Sequence, residues 1–281
     1  MALAARDNRG WPGWRVFFLI LAAMFCARTA AMSFNRIADR EFDKENPRTA
    51  GRHLPAGVIT LSAARGLCVL SALGLIVVSF FINRICFYLS PVALAVVLFY
   101  SLTKRFTDFT HLFLGLALSL APIGAWLAVR GRFEFFPFIN DRLAIDHSAF
   151  LPLLLAVAVV FWLVGFDIIY ALQDYDFDRQ HRLHSLVVRW GMRNALAAAF
   201  LAHMIMWLVL AVFGLLAGFR FAYYVGLIFI LGCLLLEHWL ARRRSMNWVQ
   251  NAFFRLNAVI SLVFLLVTLT EIVFPFFSLR R

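Results

Sequence analysis

An all-α, multi-pass membrane bundle is the fold class this sequence predicts, on three observations. The 281-residue chain is 63% hydrophobic, only 15% charged, and has a mean hydropathy of +0.83, whereas a soluble domain carries about a quarter charged residues. Its apolar residues recur along the whole length in stretches of roughly 20, enough for a helix to cross ~30 Å of hydrocarbon. A leader peptide on a soluble body explains one such stretch and no more. The third observation is that the alternating ten-residue segments of a transmembrane barrel are absent.

Eight spans are expected. The first covers about 14–34 and ends at the polar stretch FNRIADREFDKENPRTAGRHLPAG. The second and third, 59–81 and 85–101, are joined so tightly at Phe81 to Arg84 that they must be antiparallel neighbours. The fourth, 110–130, follows the polar segment YSLTKRFTDFT, and the fifth, 149–173, runs into DIIYALQDYDFD. The sixth and seventh, 193–217 and 221–240, meet at another tight junction, Gly218 to Phe221, and the eighth covers 255–277. Residues 1–281 are therefore expected to form one integral membrane domain with internal halves at about 14–130 and 149–277.

Basic residues orient this bundle. The loops 35–57, 102–109, 178–193 and 241–254 hold fourteen lysines and arginines, including Arg242, Arg243 and Arg244, against seven in the opposite loops, among them Arg142, Arg280 and Arg281. By the positive-inside rule the first set faces the cytoplasm, in the manner of a bacterial inner-membrane protein. Eight spans then leave both termini outside, with Arg6, Arg9 and Arg15 on the disfavoured face. Two explanations stand: the tail lies along the interface on Trp11 and Trp14, or a further helix precedes this sequence. The formal net charge of +12 is dispersed among apolar segments, so nucleic acid is not an expected partner. Cys26, Cys68, Cys86 and Cys233 all lie in or beside apolar runs and read as core side chains.

Two acidic patterns stand out. Helix positions four apart share a face, so Asn35, Asp39 and Asp43 form a polar stripe closing the first span. Arg28, seven residues earlier, falls on much the same side, within the hydrocarbon, where an ionisable group requires a polar cavity. At the end of the fifth span Tyr170, Asp174 and Asp178 repeat the spacing, and Asp167 aligns with Asp174. Basic loops are expected to follow both stripes. Four spans separate the two, which points to an internal four-helix repeat. Clustered carboxylates repel unless a cation intervenes. An all-oxygen donor set suits Mg²⁺, which binds through carboxylates together with substrate phosphates. Lys104 and Arg105, in the loop between the stripes, are suited to gripping a diphosphate. His111 and His203 are solitary and read as packed, hydrogen-bonded histidines. The 31 phenylalanines supply faces for lipid and for a tunnel holding a greasy chain.

At this point the residues resemble the UbiA family of intramembrane prenyltransferases. NRIADREFD is similar to the family's first Asn/Asp motif, DIIYALQDYDFD to its second, and YSLTKRFT to its lysine-bearing loop. The flanks RTAAMSFNRIADREFDKENPRTAGRHLPAG and GLALSLAPIGAWLAV are similar to those of the 4-hydroxybenzoate polyprenyltransferases and their relatives in the futalosine menaquinone route. The resemblance implies Mg²⁺-dependent transfer of a polyprenyl group from polyprenyl diphosphate to the ring of an aromatic carboxylic acid, towards ubiquinone or menaquinone. Membrane lipid surrounds such an enzyme, and no obligate protein partner is expected. Residue by residue, it places Asp39, Asp43, Asp174 and Asp178 at metal and catalytic positions, with Asp167 beside the second pair. It places Asn35 with the first metal–diphosphate group, Lys104 on the diphosphate and Arg28 at the aromatic acid, while Arg48 and Arg52 belong to a loop closing over the pocket. The family usually has nine spans, with its first motif ending the second; here that motif ends the first. Arg182 stands where a glycine is common, and His184 where many of the 4-hydroxybenzoate enzymes carry lysine. Other acceptors, such as homogentisate, haem or chlorophyllide precursors, use the same site. A transporter with inverted or parallel repeats is the rival class, but it predicts mid-membrane charges and paired broken helices.

Overall fold

A computed structural model describes residues 1–132, 138–139, 142–143, 150–243 and 246–274; Arg244, Arg280 and Arg281 of the charge count lie outside the described residues. The elements are α1 (Trp14–Ala38), α2 (Arg40–Glu45), α3 (Leu61–Ile82), α4 (Arg84–Phe99), α5 (Thr110–Arg130), α6 (Leu151–Ala171), α7 (Tyr175–Gln180), α8 (Leu186–Leu216), α9 (Phe221–Arg243) and α10 (Met246–Val273). Among the described residues, eight stretches are long and apolar enough to cross a membrane. The protein is an integral, multi-pass helical bundle. A minimal antiparallel pair, β1 (Phe138–Ile139) with β2 (Arg142–Leu143), lies in the loop between α5 and α6.

The element order repeats: a long helix, a six-residue helix, then three long helices, twice over. Small residues let the long helices approach, as lipid-embedded packing requires. Ala23, Cys26, Ala27 and Ala30 of α1 meet Ala72 and Leu75 of α3, and Cys26 Sγ would stand 3.0 Å from a Cβ on Gly74. Gly165 of α6 lies so close to α8 that a Cβ there would sit 2.4 Å from His203 Nε2. The halves meet along α5 and α6, where Gly115 abuts the Val160 backbone.

Both tight junctions are as expected. Asn83 caps α4 by accepting from Cys86 N–H at 2.9 Å, and Gly218, at φ 68°, turns the chain from α8 to α9. Several boundaries differ from the sequence reading. The loop expected over 178–193 shrinks to 181–185, because Ser185 caps a helical turn at Leu186 that a break at Gly191 (φ 76°) joins to the long run. Likewise α10 begins at Met246, so the expected loop over 241–254 contracts. The N-terminal tail forms a short 3₁₀ segment, Leu3–Asn8, with Ala4 and Ala5 buried, and Arg6 donates to the Ala217 carbonyl at 2.7 Å. Trp11 and Trp14 pack edge to face at 4.7 Å.

The second half encloses a polar network in its apolar core. Trp162 Nε1–H donates to Asn257 Oδ1 at 2.8 Å, Asn257 donates to Glu237 Oε2 at 3.2 Å, and His203 Nδ1 lies 3.0 Å from His238 Nε2. His203 is thus the buried, hydrogen-bonded histidine its sequence context indicated.

Candidate active site

Both acidic stripes end in the same local construction. The spacing of four is kept, but neither stripe is a continuous helix and neither leads directly into a loop. The helix breaks at Asp39 (φ −90°, ψ 5°) and, after the 3₁₀ turn Leu172–Asp174, at Asp174 (φ −102°, ψ 6°). Each break is followed by a six-residue helix, α2 or α7, whose fourth residue is a buried aspartate, Asp43 or Asp178. Asp43, Asp174 and Asp178 are 6%, 6% and 2% exposed. One oxygen of each helix aspartate, Asp43 Oδ2 and Asp178 Oδ2, is buried and accepts no hydrogen bond among the described residues.

Basic side chains from intervening loops sit between the carboxylates. After α2 the chain turns at Asn46-Pro47, and Asn46 Nδ2 donates to Asp174 Oδ1 at 3.0 Å while its own Oδ1 accepts from Arg48 N–H at 2.9 Å. Arg48 then grips Asp174 with two guanidinium nitrogens, Nε at 2.8 Å and the terminal nitrogen NH2 against Oδ2, and reaches Tyr170 Oη at 2.8 Å. This forked, charge-assisted geometry is the strong form of the interaction. Burial draws the Arg48 guanidinium pKa down, but the bond to Asp174 outweighs it and the net shift is upward. Arg52 donates to Asp43 Oδ1 at 2.6 Å, with Arg36 at 3.8 Å from Oδ2. Lys104 Nζ stands 3.7 Å from Asp178 Oδ2. Arg105 caps the end of α1 through the Ala38 carbonyl at 2.6 Å and lies 3.7 Å from Asp39 Oδ1. Asp39 also accepts from Asn35 Nδ2 at 3.0 Å. Burial pushes the Asp39 carboxyl up, and Lys104 opposes that shift.

The structure thus gathers Asn35, Asp39, Asp43, Arg48, Arg52, Lys104, Arg105, Tyr170, Asp174 and Asp178 at one end of the bundle. Asp167 lies one turn deeper, its Oδ2 2.7 Å from His111 Nδ1. Arg28 is not drawn into this network. It is exposed on the helix face of Asn35 and Asp39, away from α3, and forms no ion pair or hydrogen bond among the described residues. The sequence reading missed two residues. Asn46 carried one signal, an Asn-Pro turn three residues after Asp43. His111, taken as solitary, meets Asp167 only because α5 lies against α6.

His184 does not point to the carboxylates. Its backbone N–H donates to the Lys104 carbonyl at 2.9 Å, and its Nδ1 lies 2.9 Å from Asp108, which also accepts from Arg189 at 2.6 Å. Arg182 adopts the left-handed conformation (φ 54°) that favours glycine there. The Arg189 hydrogen bond, helped by His184, holds the Asp108 carboxyl below its ordinary range. A depressed carboxylate stabilises the fold above its unfolded pKa of about 4 and loses that contribution as pH falls through the folded value. Asp108→Asn is therefore expected to cost about 1 kcal/mol near neutral pH, limited by the exposure of Arg189. Thermal unfolding in detergent should show the gap from the parent closing below about pH 4.

Eight apolar spans with two matched carboxylate motifs at one mouth, each beside cationic side chains, define a polytopic membrane protein built around a buried, charge-paired polar centre. The chain belongs to the UbiA prenyltransferase family, whose profile matches residues 1–259, and is an enzyme of that superfamily. It is 30% identical over 257 residues to the 4-hydroxybenzoate octaprenyltransferase of Tolumonas auensis, covering 92% of this chain and 84% of that one. It is 32% identical to the enzyme of that name from Alcanivorax borkumensis, over 84% and 76% of the two chains. The apo structure of a UbiA homolog from Aeropyrum pernix K1 superposes with a TM-score of 0.81 at 27% identity, covering 96% and 94%. A UbiA homolog from Archaeoglobus fulgidus bound to GPP and Mg²⁺ shares the fold, with a TM-score of 0.66 at 20% identity over 95% and 94% of the chains.

Proposed function

We propose that this protein transfers a polyprenyl group from polyprenyl diphosphate to the ring of an aromatic carboxylic acid of the 4-hydroxybenzoate type, at a site facing the cytoplasm. The observation that carries the reading is the pair of buried aspartates, Asp43 and Asp178, each beside a cation and each with an oxygen that accepts no hydrogen bond among the described residues. Buried acceptors left unfilled are costly, and an all-oxygen donor set of this kind fits Mg²⁺. Among the described residues no three His, Cys, Asp or Glu side chains already form a metal-binding group. A cation held by one or two carboxylates and completed by substrate phosphates would need no such group. Asp39 with Asp43, and Asp174 with Asp178, would each offer a pair of carboxylates to such an ion; when bound, Mg²⁺ would stabilise the charge that builds on the diphosphate as the allylic C–O bond breaks.

The chain's own residues do the rest. Lys104, Arg48, Arg52 and Arg105 are donors placed for the diphosphate, and the two arginines of the 46–60 segment must exchange a carboxylate for a phosphate partner as substrate enters. Arg28 lies on the site face of α1, about 10 Å deeper than Asn35 at ~1.5 Å per residue, placed to pair with the acceptor's carboxylate. The apolar bundle limits water access to the allylic cation, and the ring attacks beside its hydroxyl. The relatives named 4-hydroxybenzoate octaprenyltransferase favour this acceptor class.

The test is incubation of membranes with radiolabelled polyprenyl diphosphate, Mg²⁺ and a panel of aromatic acids, reading which acid becomes lipid-soluble. Labelling of a 4-hydroxybenzoate-type acid is expected, and labelling of none of the acids overturns the reading. In the same assay Arg28→Ala is expected to raise the acceptor KM about tenfold or more, the loss of one charge-assisted contact of about 1.5–3 kcal/mol, with the diphosphate KM little changed. Equal losses for both substrates would assign Arg28 a structural role.

A further inference from the structure

Four of the five motif aspartates face a lysine or arginine: Asp39 faces Arg105, Asp43 faces Arg52 and Arg36, Asp174 faces Arg48, and Asp178 faces Lys104. Asp167 differs, for its partner is the imidazole of His111, 2.7 Å away. The two members of this pair are unequally placed. His111 is 0% exposed, whereas the Asp167 side chain is 21% exposed. His111 Nε2 is buried and without a hydrogen bond among the described residues.

That asymmetry fixes the tautomer. A proton on Nε2 would be a buried N–H with no acceptor, and orphaned donors are rarer in folded proteins than under-used acceptors. A proton on Nδ1 is instead donated to Asp167 Oδ2. The imidazole therefore holds one carboxylate oxygen by a hydrogen bond and leaves the rest of the carboxylate to the open side. The fold enforces the contact from a neighbouring turn. Gly115, four residues after His111 on α5, lies against α6 so closely that a Cβ there would be 2.9 Å from the Val160 oxygen, which brings the His111 turn level with the end of α6 that carries Asp167.

We propose that Asp167 receives the proton released from the aromatic ring and that His111 is the positioning residue that orients its carboxylate. This rests on the transfer reaction proposed above. In that reaction the allylic C–O pair leaves with diphosphate, and a ring C–C bond forms to the allylic carbon. The attacked ring carbon then holds both the prenyl group and its hydrogen. Its C–H bond breaks, the electron pair restores the aromatic ring, and the proton passes to Asp167. The other four aspartates each face a lysine or arginine. Asp167 faces an imidazole and keeps part of its carboxylate on the open side, where it can take the proton.

The experiment compares the parent, His111→Ala, His111→Asn and Asp167→Asn, each purified and shown to be monodisperse, with acceptor acid carrying hydrogen or deuterium beside the hydroxyl. For His111→Ala the expected result is a kcat lower by about 10²-fold, unchanged KM for both substrates, and a kinetic isotope effect on kcat larger than the parent's. His111→Asn, whose amide N–H can occupy the place of Nδ1–H, should recover most of the rate and the parent's isotope effect. Asp167→Asn should lose transfer. Overturning results are a His111→Ala enzyme with the parent's kcat, or one whose rate falls with no change in isotope effect and no rescue by asparagine. Failure of the parent to transfer to any aromatic acid would overturn the reaction itself, and is thereby distinguished from failure of this assignment.

Discussion

Asp174→Ala is expected to abolish prenyl transfer, by about 10³-fold or more, while the protein remains inserted and monodisperse. Two losses combine at this position. The carboxylate is one of the four proposed above to hold Mg²⁺, and removing a group that stabilises transition-state charge in a dry site costs about 10²–10³ in rate. It is also the counter-charge of Arg48 and the acceptor of Asn46. Without it a half-buried guanidinium keeps, among the described residues, Tyr170 as its side-chain partner, and a buried ion pair broken on one side is destabilising. The two contributions separate with Asp174→Asn, which keeps an oxygen for Arg48 and Asn46 but is a poorer Mg²⁺ ligand. Stability should largely return and activity should not. Asp39→Ala makes the complementary case, since among the described residues Asp39 has one hydrogen bond, from Asn35, and only looser charge contacts with Arg105 and Lys104; its loss should leave thermal unfolding nearly unchanged and still abolish transfer. Labelled-product formation in membranes supplied with Mg²⁺ is the measurement, and activity within about twofold of the parent in either alanine variant would remove the aspartates from the mechanism.

The parts of this site that the sequence made legible are those set by local period. A spacing of four along a helix put Asn35, Asp39 and Asp43 on one line and Tyr170, Asp174 and Asp178 on another, and the structure keeps both lines although the helix breaks inside each. The breaks themselves were hidden, because no glycine or proline marks Asp39 or Asp174; the backbone changes direction there without a residue type that demands it. Contacts between segments far apart in the chain were equally invisible. Arg48 reaches Asp174 across 126 residues and His111 reaches Asp167 across 56, and nothing in the local pattern of either loop states its partner. Span positions were read well where polar residues bounded them. They were misjudged at 186–193, where the basic and aromatic residues Arg189, Trp190 and Arg193 look like loop but form the exposed first turns of α8.

Gly115→Ala should lower both stability and activity through the smallest of side-chain changes. Most glycines in the bundle have open space or a flexible neighbour, but a Cβ at Gly115 would meet the Val160 carbonyl oxygen at 2.9 Å and its Cα at 3.2 Å. Those are backbone atoms of α6, which cannot rotate away, so the helices must separate. Overpacking of this kind costs about 1–3 kcal/mol, and in lipid no hydrophobic force draws the helices back together, since close packing is itself what holds them. The displaced interface is the seam between the two halves. Widening it moves α5, with His111 on the next turn, away from Asp167, while Lys104, in the segment leading into α5, faces Asp178 beyond the end of α6. The expected result is a lower midpoint of thermal unfolding in detergent together with a fall in kcat. Gly124→Ala, at a glycine where an added Cβ would have nothing within 4 Å, should show neither. A Gly115→Ala enzyme as stable and as active as the parent would mean that the halves tolerate separation and that the site does not depend on how closely α5 and α6 approach.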